Sequence, residues 1–251
     1  MKDQLNLINK VADHIVKAKH VVALTGAGIS VESGIPPFRG KGGLWEKFDP
    51  MEVAHINSFM SNPEKVWRLL ISAMKDLLVS AKPNAAHLGL ARLEELGRLK
   101  TVITQNIDGL HQMAGSRDVV EIHGSFAWLR CLDCENRVKT VDIELSQMPP
   151  RCECGGIYRP ECVFFGESIP MQDLDRSQVA ASTCDLMLVV GTSAVVQPAA
   201  FMPVIAKQSG ATVIEINPEP TPLTGTTSTL RVQGKAGKAM RKITAEVERI
   251  L

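Results

Sequence analysis

Three motifs place amide, carboxylate and imidazole side chains directly after apolar segments of the chain. They are Thr104-Gln105-Asn106-Ile107-Asp108-Gly109-Leu110-His111, Glu121-Ile122-His123-Gly124-Ser125 and Gly191-Thr192-Ser193, the last echoed by Ile216-Asn217-Pro218-Glu219. An imidazole, whose ordinary pKa is about 6.5, can serve as a general base at neutral pH. One histidine in such a motif is more often structural, but the motifs together indicate a binding or catalytic site.

A glycine turn is the second feature with chemical potential. Gly26-Ala27-Gly28 follows the apolar run Val21-Val22-Ala23-Leu24 and leads into the aromatic-tipped loop Pro36-Pro37-Phe38-Arg39. Glycine lacks the Cβ that would hold a phosphate away from backbone N–H groups. The pattern favours a dinucleotide site, although it lacks the third glycine of the dehydrogenase fingerprint. A tight strand-to-helix turn without a ligand explains these residues equally well.

Four of the six cysteines form two close pairs. Cys131 and Cys134 are a Cys-x2-Cys pair, and after 17 residues Cys152 and Cys154 form a shorter Cys-x-Cys pair. Two such pairs of thiolates are typical of a closed tetrahedral zinc site, in which the ion is structural. Disulfides and a redox pair are the less frequent alternatives in a cytosolic chain.

The elements that must position these groups follow from hydrophobic patterning. Most predicted strands are near-continuous apolar runs, which are typical of a parallel sheet covered on both faces. Their alternation with helices predicts an α/β fold with a doubly wound parallel sheet, which binds ligands at the carboxyl ends of its strands. The strands are residues 20–25, 101–105, 119–122, 185–191 and 211–217, and the helices are residues 4–18, 84–97, 196–209 and 237–251.

Two segments interrupt this alternation. Residues 41–82 have helical patterns and no strand, and residues 127–161 contain the four paired cysteines. Ten of the eleven aromatic residues fall between Phe38 and Phe165, so these modules either pack through aromatic side chains or wall a cleft over the sheet. We expect one domain, 1–251, with a large part of about 1–40, 83–126 and 162–251 and a small part of about 41–82 and 127–161.

Composition limits the partners and the compartment. The formal net charge of +1 gives no global signature of a nucleic-acid or membrane partner. The N-terminus lacks the apolar core of a signal peptide, and no apolar run approaches the roughly 20 residues of a membrane span. We therefore expect a cytoplasmic protein that has no membrane partner and carries no direct nucleic-acid signature.

Taken together, the motifs resemble those of the sirtuin family, the NAD-dependent protein lysine deacylases, as a prokaryotic-type single catalytic domain. They occur in the family's order over nearly the whole chain. The matching elements are Gly26-Ala27-Gly28-Ile29-Ser30, Gly34-Ile35-Pro36 with Phe38-Arg39, Gln105-Asn106-Ile107-Asp108, His123-Gly124, the four paired cysteines, Val163-Phe164-Phe165-Gly166-Glu167, Gly191-Thr192-Ser193 and Asn217-Pro218-Glu219.

The resemblance implies a Rossmann-like large part, with a small part made of a helical insertion and a zinc ribbon. It implies NAD as co-substrate, one structural zinc ion, acylated-lysine proteins as partners and a monomeric chain. The acyl group would pass to the ribose, giving nicotinamide, O-acyl-ADP-ribose and free lysine. A mono-ADP-ribosyltransferase and a non-catalytic NAD or ADP-ribose sensor are the alternatives.

The resemblance also assigns roles to individual residues. His123 would be the general base, and Asn106 and Asp108 would organise the nicotinamide and ribose pocket. The cofactor-binding residues would be Gly26, Ala27, Gly28, Ser30, Phe38, Arg39, Gln105, Asn106, Ile107, Asp108, Gly191, Thr192, Ser193, Asn217, Glu219 and Ala236. The substrate would pair as a strand with Val163, Phe165, Gly166 and Val196, and the metal ligands would be Cys131, Cys134, Cys152 and Cys154.

One departure from the family bears on the acyl group. Sirtuins that prefer negatively charged acyl groups carry a Tyr and an Arg after a Trp, and aligned on Trp67 these positions are Leu70 and Ala73. Without those partners a buried succinyl carboxylate would be unpaired, at a cost of several kcal/mol. We therefore expect a preference for uncharged acyl groups.

Overall fold

The computed structural model describes residues 2–39, 42–144 and 146–251, and the side chains of Lys2, Asp3 and Ala73 lie outside this description. Over these residues the strands are β1 Val21–Thr25, β2 Leu99–Thr104, β3 Val119–Glu121, β4 Gly124–Cys131, β5 Arg137–Lys139, β6 Tyr158–Cys162, β7 Leu186–Val190, β8 Thr212–Asn217 and β9 Leu230–Gln233. The α-helices are α1 Lys2–Lys17, α2 Pro50–Val53, α3 Ile56–Ser61, α4 Pro63–Val66, α5 Ser72–Ser80, α6 Ala85–Glu95, α7 Leu110–Met113, α8 Met171–Thr183, α9 Met202–Gln208 and α10 Ala236–Ile250.

Six strands form a parallel sheet in the order β3-β2-β1-β7-β8-β9. All five residues of β1 and of β7 are buried, because α1, α6 and α10 cover one face and α8 and α9 cover the other. Ile8, Val11 and Ile15 of α1 are buried against the first face. Each buried aliphatic side chain of this kind contributes roughly 1.5–3 kcal/mol. The doubly wound parallel sheet is therefore confirmed.

The strand order reverses between β1 and β7. The chain builds outward from β1 to β3 on one side and from β7 to β9 on the other, so β1 and β7 are neighbours. The loops after these two strands leave in opposite directions, which opens a crevice where doubly wound sheets bind ligands. The glycine turn follows β1 and Gly191-Thr192-Ser193 follows β7, so the fold brings both motifs to this crevice.

A smaller unit lies beside the sheet. It joins the antiparallel sheet β5-β4-β6 to helices α2 to α5, with a π-helical turn Trp67–Ile71 between α4 and α5. Their core is aromatic and aliphatic, and includes Phe59 and Phe126. The buried indole N–H of Trp67 donates to the carbonyl of Tyr158 at 3.0 Å, which ties the helical segment to the antiparallel sheet. The predicted helical insertion and cysteine-bearing module thus share one core.

Several elements differ from the sequence prediction, which assigned no strand to β4, β5 or β6 and no helix to α7. Strand β9 was not predicted, because its four residues alternate polar and apolar at the edge of the sheet. Helix α8 was not predicted either, since it buries mainly small residues such as Ala180 and Ala181. The helix predicted over 196–209 begins only at Met202, after a 3-10 turn over Ala199–Phe201. Over the described residues, no helix is long and apolar enough to span a membrane.

Candidate functional site

A cleft of about 1150 Å³ opens at the crevice between β1 and β7 and extends into the smaller unit. Apart from the four cysteines, all but two of the predicted site residues line this cleft. The two exceptions, Ser30 and Asp108, lie behind the residues that line it. The predicted residues that line the cleft are Gly26, Ala27, Gly28, Phe38, Arg39, Gln105, Asn106, Ile107, His123, Val163, Phe165, Gly166, Gly191, Thr192, Ser193, Val196, Asn217, Glu219 and Ala236.

The glycine turn works differently from the sequence expectation. The N–H groups of Gly26 and Gly28 donate to the carbonyls of Val190 and Gly191 at 3.3 and 2.7 Å, so these two are not free for a phosphate. A Cβ on Gly28 would lie 2.6 Å from the Gly191 carbonyl oxygen, and Gly191 itself has φ +61°. The glycines thus let the ends of β1 and β7 touch, and short 3-10 turns rather than an α-helix follow β1.

The two predicted residues behind the wall hold Asn106. The hydroxyl of Ser30 donates to the Asp108 carboxylate at 2.7 Å, so its oxygen accepts from the Asn106 side-chain amide at 3.0 Å. A carboxylate only accepts, and this direction fixes which end of the amide faces Ser30. Among the described residues the buried Asn106 Oδ1 atom has no hydrogen-bond partner, and Asn106 lines the cleft. Asp108 and Ser30 therefore act on the cleft through Asn106.

Two fully buried histidines continue this network. His87 contacts the Ser30 hydroxyl at 3.4 Å, and its ring packs edge-on against His111 at 4.9 Å. Burial lowers the pKa of His87 to about 4, against an opposing attraction from Asp108. Burial, followed by repulsion from His87, lowers the pKa of His111 to about 3. Both rings are therefore neutral at pH 7, which sequence reasoning did not anticipate.

His123 follows β3 and lines the cleft. Its Nδ1–H donates to the backbone carbonyl of Gln105 at 3.1 Å. A carbonyl only accepts, so this bond fixes the neutral tautomer in which Nε2 carries the lone pair. Burial lowers the pKa of His123, and the bond to Gln105 opposes that shift. At neutral pH His123 is thus an unprotonated base held in a defined orientation.

The loop after the glycine turn carries an aromatic stack. The Phe38 ring stacks on Trp45 with centroids 5.3 Å apart, and Trp45 lies 6.3 Å from Phe165. All three line the cleft. Gly40, predicted to end the first segment of the large part, and Lys41, predicted to begin the helical insertion, lie outside the described residues. The stack forms an apolar roof over one part of the cleft.

Polar contacts join the ends of β7 and β8 in the part of the cleft away from the aromatic stack. The Thr192 hydroxyl accepts from the Gln105 side-chain amide at 2.9 Å, and Asn217 Nδ2 donates to the Thr192 carbonyl at 3.1 Å. Glu32 accepts from the Gly237 N–H at 2.6 Å, which fixes the start of α10 beside Ala236. These contacts hold the loops after three strands in one arrangement.

The segment from Val163 to Glu167 is also held on both sides. The Val163 N–H donates to the His123 carbonyl at 2.9 Å. Arg159 makes a two-pronged ion pair with Glu167, at 2.7 Å for each contact. Burial alone would raise the pKa of Glu167, but the hydrogen bonds from Arg159 and from the Phe164 N–H, together with the charges of Arg159 and Arg130, outweigh burial and lower that pKa. Sequence reasoning did not identify this ion pair.

Apolar residues of the smaller unit form a further lobe of the cleft. The sequence did not predict this lobe. Leu70, Ile71 and Met74 come from the π-helical turn and α5, and Phe126 comes from β4. All four belong to the core of the smaller unit and are at most 9% exposed. Only Leu70 carried a sequence signal. The lobe offers space for an uncharged group.

The four paired cysteines converge, with their sulfurs within 4.8 Å of one another. Cys131 and Cys154 sulfurs are 3.5 Å apart, and those of Cys134 and Cys152 are 3.6 Å apart. Both exceed the roughly 2.05 Å of a disulfide and approach the edge of about 3.8 Å expected for Zn–S bonds of about 2.3 Å. A Cβ on Gly156 would lie 2.6 Å from the Cys131 sulfur. The donor set fits one zinc ion, away from the residues that line the cleft.

Fold and site together define a dinucleotide-binding protein of the Rossmann type with a four-cysteine module. The model of the Sir2 family matches residues 26–198, so the chain belongs to the Sir2 family. NAD-dependent protein deacylase 1 of Archaeoglobus fulgidus is 46% identical over 243 residues, covering 96% of this chain and 98% of that protein.

Solved structures agree with this membership. A mutant Sir2 homologue in complex with ADP-ribose has a TM-score of 0.91 at 45% identity and covers 96% of each chain. A Sir2 protein with a p53 peptide and NAD+ has a TM-score of 0.87 at 38% identity, covering 96% of this chain and 98% of that one. At these identities the likeness extends beyond the fold to the family.

Proposed function

We propose that this protein is an NAD-dependent protein lysine deacylase. It releases nicotinamide and free lysine, forms O-acyl-ADP-ribose and prefers uncharged acyl groups. Family membership, the curated relative named a deacylase and the Sir2 complex with a p53 peptide and NAD+ support this activity. The cleft then lies between the large part, 1–40, 83–126 and 162–251, and the small part, 41–82 and 127–161.

The orientation of His123 is the observation that carries the proposal. When bound, NAD supplies an electrophilic ribose carbon and nicotinamide as a leaving group. Because Nδ1–H is committed to the Gln105 carbonyl at 3.1 Å, Nε2 is the atom that accepts a proton from a ribose hydroxyl. The lowered pKa of His123 keeps that nitrogen free at neutral pH.

Asn106 fits the nicotinamide end of the cofactor. Its buried Oδ1 has no partner within the described part of the chain, and the Ser30 hydroxyl holds the amide so that this oxygen remains an acceptor. A buried unpaired acceptor costs about 1–3 kcal/mol, so a carboxamide N–H from the ligand would satisfy it. Asp108 contributes by accepting from Ser30 and is a positioning residue rather than a contact.

The remaining NAD contacts follow from the two ends of the cleft. Phe38 and Trp45 would cover the reacting ribose and exclude water. Thr192 and Asn217 are hydrogen-bonded to each other at the ends of β7 and β8, and they would bind the adenosine half of NAD. The start of α10 at Ala236 completes that end. Binding and orientation of this kind can supply several kcal/mol of the barrier reduction.

The peptide would add as a strand beside Val163, Phe165 and Val196, which line the cleft. The Arg159–Glu167 ion pair and the bond from the Glu167 N–H to the Phe164 carbonyl hold the turn that follows Val163, and the substrate strand would pair beside it. Pairing of this kind reads the backbone more than the side chains. We expect the enzyme to accept many peptide sequences.

The apolar lobe supports the preference for uncharged acyl groups. Leu70, where a charged-acyl enzyme would carry Tyr, lies in the lobe and is 6% exposed. The side chain of Ala73, the second position of that pair, lies outside the described residues. An unpaired carboxylate in such a lobe costs about 3 kcal/mol, which corresponds to a loss of about 100-fold in kcat/KM.

The decisive experiment incubates the protein with NAD and an acetyl-lysine peptide and measures nicotinamide, free peptide and acylated ADP-ribose together. We expect equal amounts of all three. His123→Ala should abolish turnover and leave ADP-ribose affinity within about twofold. Nicotinamide release with the acetyl group still on the peptide would instead indicate ADP-ribosyl transfer.

A second experiment addresses the acyl preference with acetyl, butyryl and succinyl versions of one peptide. The succinyl version should have a kcat/KM about 100-fold below the acetyl version. Leu70→Ala should change the butyryl-to-acetyl ratio, because it reshapes the lobe. Leu69→Ala is the matched control, since Leu69 is 41% exposed and should leave the ratio unchanged. Comparable turnover of succinyl and acetyl peptides would contradict the preference.

A further inference from the structure

Glu215 is a carboxylate on a face of the central sheet that is mostly aliphatic, with Arg231 of β9 as its register partner on one side. It lies in the middle of β8, has no exposed surface and pairs in register with Val189 of β7. Val213, two residues earlier on the same face, belongs to the aliphatic core there. Burying a carboxylate among aliphatic side chains costs free energy that a valine would avoid. Its contacts therefore require an explanation.

Both carboxylate oxygens of Glu215 accept from one loop. The Thr221 hydroxyl donates to Oε1 at 2.5 Å, and the Thr224 hydroxyl donates to Oε2 at 2.7 Å. Each hydroxyl also accepts from the loop's own backbone. The Leu223 N–H donates to Thr221 Oγ1 at 3.1 Å, and the Thr221 N–H donates to Thr224 Oγ1 at 3.0 Å. The carboxylate thus sets the shape of the loop through four linked hydrogen bonds.

This loop forms a wall of the cleft. Residues 218–222 line the cleft directly after Asn217, whereas Thr224 does not line it. The Leu223 side chain anchors the loop in the same aliphatic core, and Arg231 donates to the Pro218 carbonyl at 3.1 Å. Because Asn217 and the loop are continuous, any shift of the loop changes the adenosine end of the cleft.

We propose that Glu215 is a positioning residue for the adenosine half of NAD. Through Thr221 and Thr224 it holds residues 218–222 in the position that contacts this half of the cofactor. The inference rests on the proposed function, since that function defines which end of the cleft receives the adenosine. It predicts an effect on NAD affinity that is separate from chemistry and from peptide binding.

Thr224→Val is the sharpest variant, because it removes one hydrogen bond to Glu215 without changing a residue that lines the cleft. We expect KM for NAD and the dissociation constant for ADP-ribose to rise about tenfold, which is about 1.4 kcal/mol. The kcat at saturating NAD and KM for the acetyl peptide should stay within twofold. Thr224→Ser keeps the hydroxyl and should restore wild-type values.

Thr183→Val is the matched control, since that hydroxyl donates to the Val179 carbonyl on the exposed side of α8, outside the loop that Glu215 holds. Thr183→Val should change neither KM for NAD nor the dissociation constant for ADP-ribose. Glu215→Gln supplies a second variant with the same expected direction. The proposal is overturned if the affinity for ADP-ribose is unchanged in both Thr224→Val and Glu215→Gln. It is also overturned if kcat, KM for NAD and KM for the acetyl peptide all change together. Calorimetric ADP-ribose binding needs no turnover, so it tests Glu215 even if deacylation itself is not observed.

Discussion

Acid should destabilise this protein through its buried histidines, and His111 allows the effect to be isolated. Burial lowers the pKa of His111 to about 3, against an ordinary value of about 6.5 in the unfolded chain. Between these two values the unfolded state binds a proton that the folded state excludes. The stability is therefore present above pH 6.5 and is lost as the pH falls.

The size of this loss of stability follows from the difference between the pKa values of the histidine in the unfolded and folded states. Each pH unit below 6.5 costs about 1.4 kcal/mol per excluded proton, so His111 alone costs about 3 kcal/mol at pH 4.5. His87, with a pKa lowered to about 4, adds a similar amount at that pH. Domains are stable by only about 5–15 kcal/mol, so the two rings account for a large share of acid lability.

The variant His111→Gln removes the titration and keeps the essential contact. Thr25 Oγ1 donates to Thr104 at 2.8 Å, so it must accept at 2.9 Å from His111 Nε2–H, a donor that the Gln amide can replace. Urea unfolding at pH 7.5 and 4.5 should show a stability loss about 3 kcal/mol smaller in the variant than in the wild type. The exposed His14→Gln is the control and should lose as much as the wild type.

Equal losses in the wild type and His111→Gln would refute the reasoning, because His111 would then be charged in the folded protein or solvated there. Thiol protonation and zinc loss at low pH affect both proteins alike and cancel in the difference. A variant that is also less stable at pH 7.5 does not disturb the test, because the prediction concerns only the change between the two pH values.

Three further changes test other parts of the site. Ser30→Ala frees the Asn106 amide and should lower kcat/KM for NAD at least tenfold by steady-state kinetics; unchanged kinetics would show that Ser30 does not orient Asn106. Gly28→Ala places a Cβ 2.6 Å from the Gly191 carbonyl and should cost about 1–3 kcal/mol of stability in urea unfolding, whereas a change under about 0.5 kcal/mol would contradict that packing. Cys134→Ser should reduce bound zinc below one ion per chain, measured by atomic absorption, and lower the melting temperature; full zinc content would refute the four-thiol site.

Much of the fold was predictable because its signals are local. The apolar runs that became β1, β7 and β8 need no knowledge of their neighbours, since a strand buried on both faces is apolar throughout. Strand β9 was not predicted because an edge strand is half polar. Helix α8 was not predicted because it buries alanines rather than large side chains. Patterning detects burial of large residues and misses elements that are small or half exposed.

The sequence by itself predicted which groups would carry the chemistry. The spacing of the cysteines and the order of the motifs around Asn106 and His123 are local, and side chains of those types have few other uses together. The tertiary structure alone decided how these groups are oriented. Whether His123 Nε2 is free, and which end of Asn106 faces the cleft, depend on hydrogen bonds to Gln105 and Ser30 that arise only when separate segments pack together.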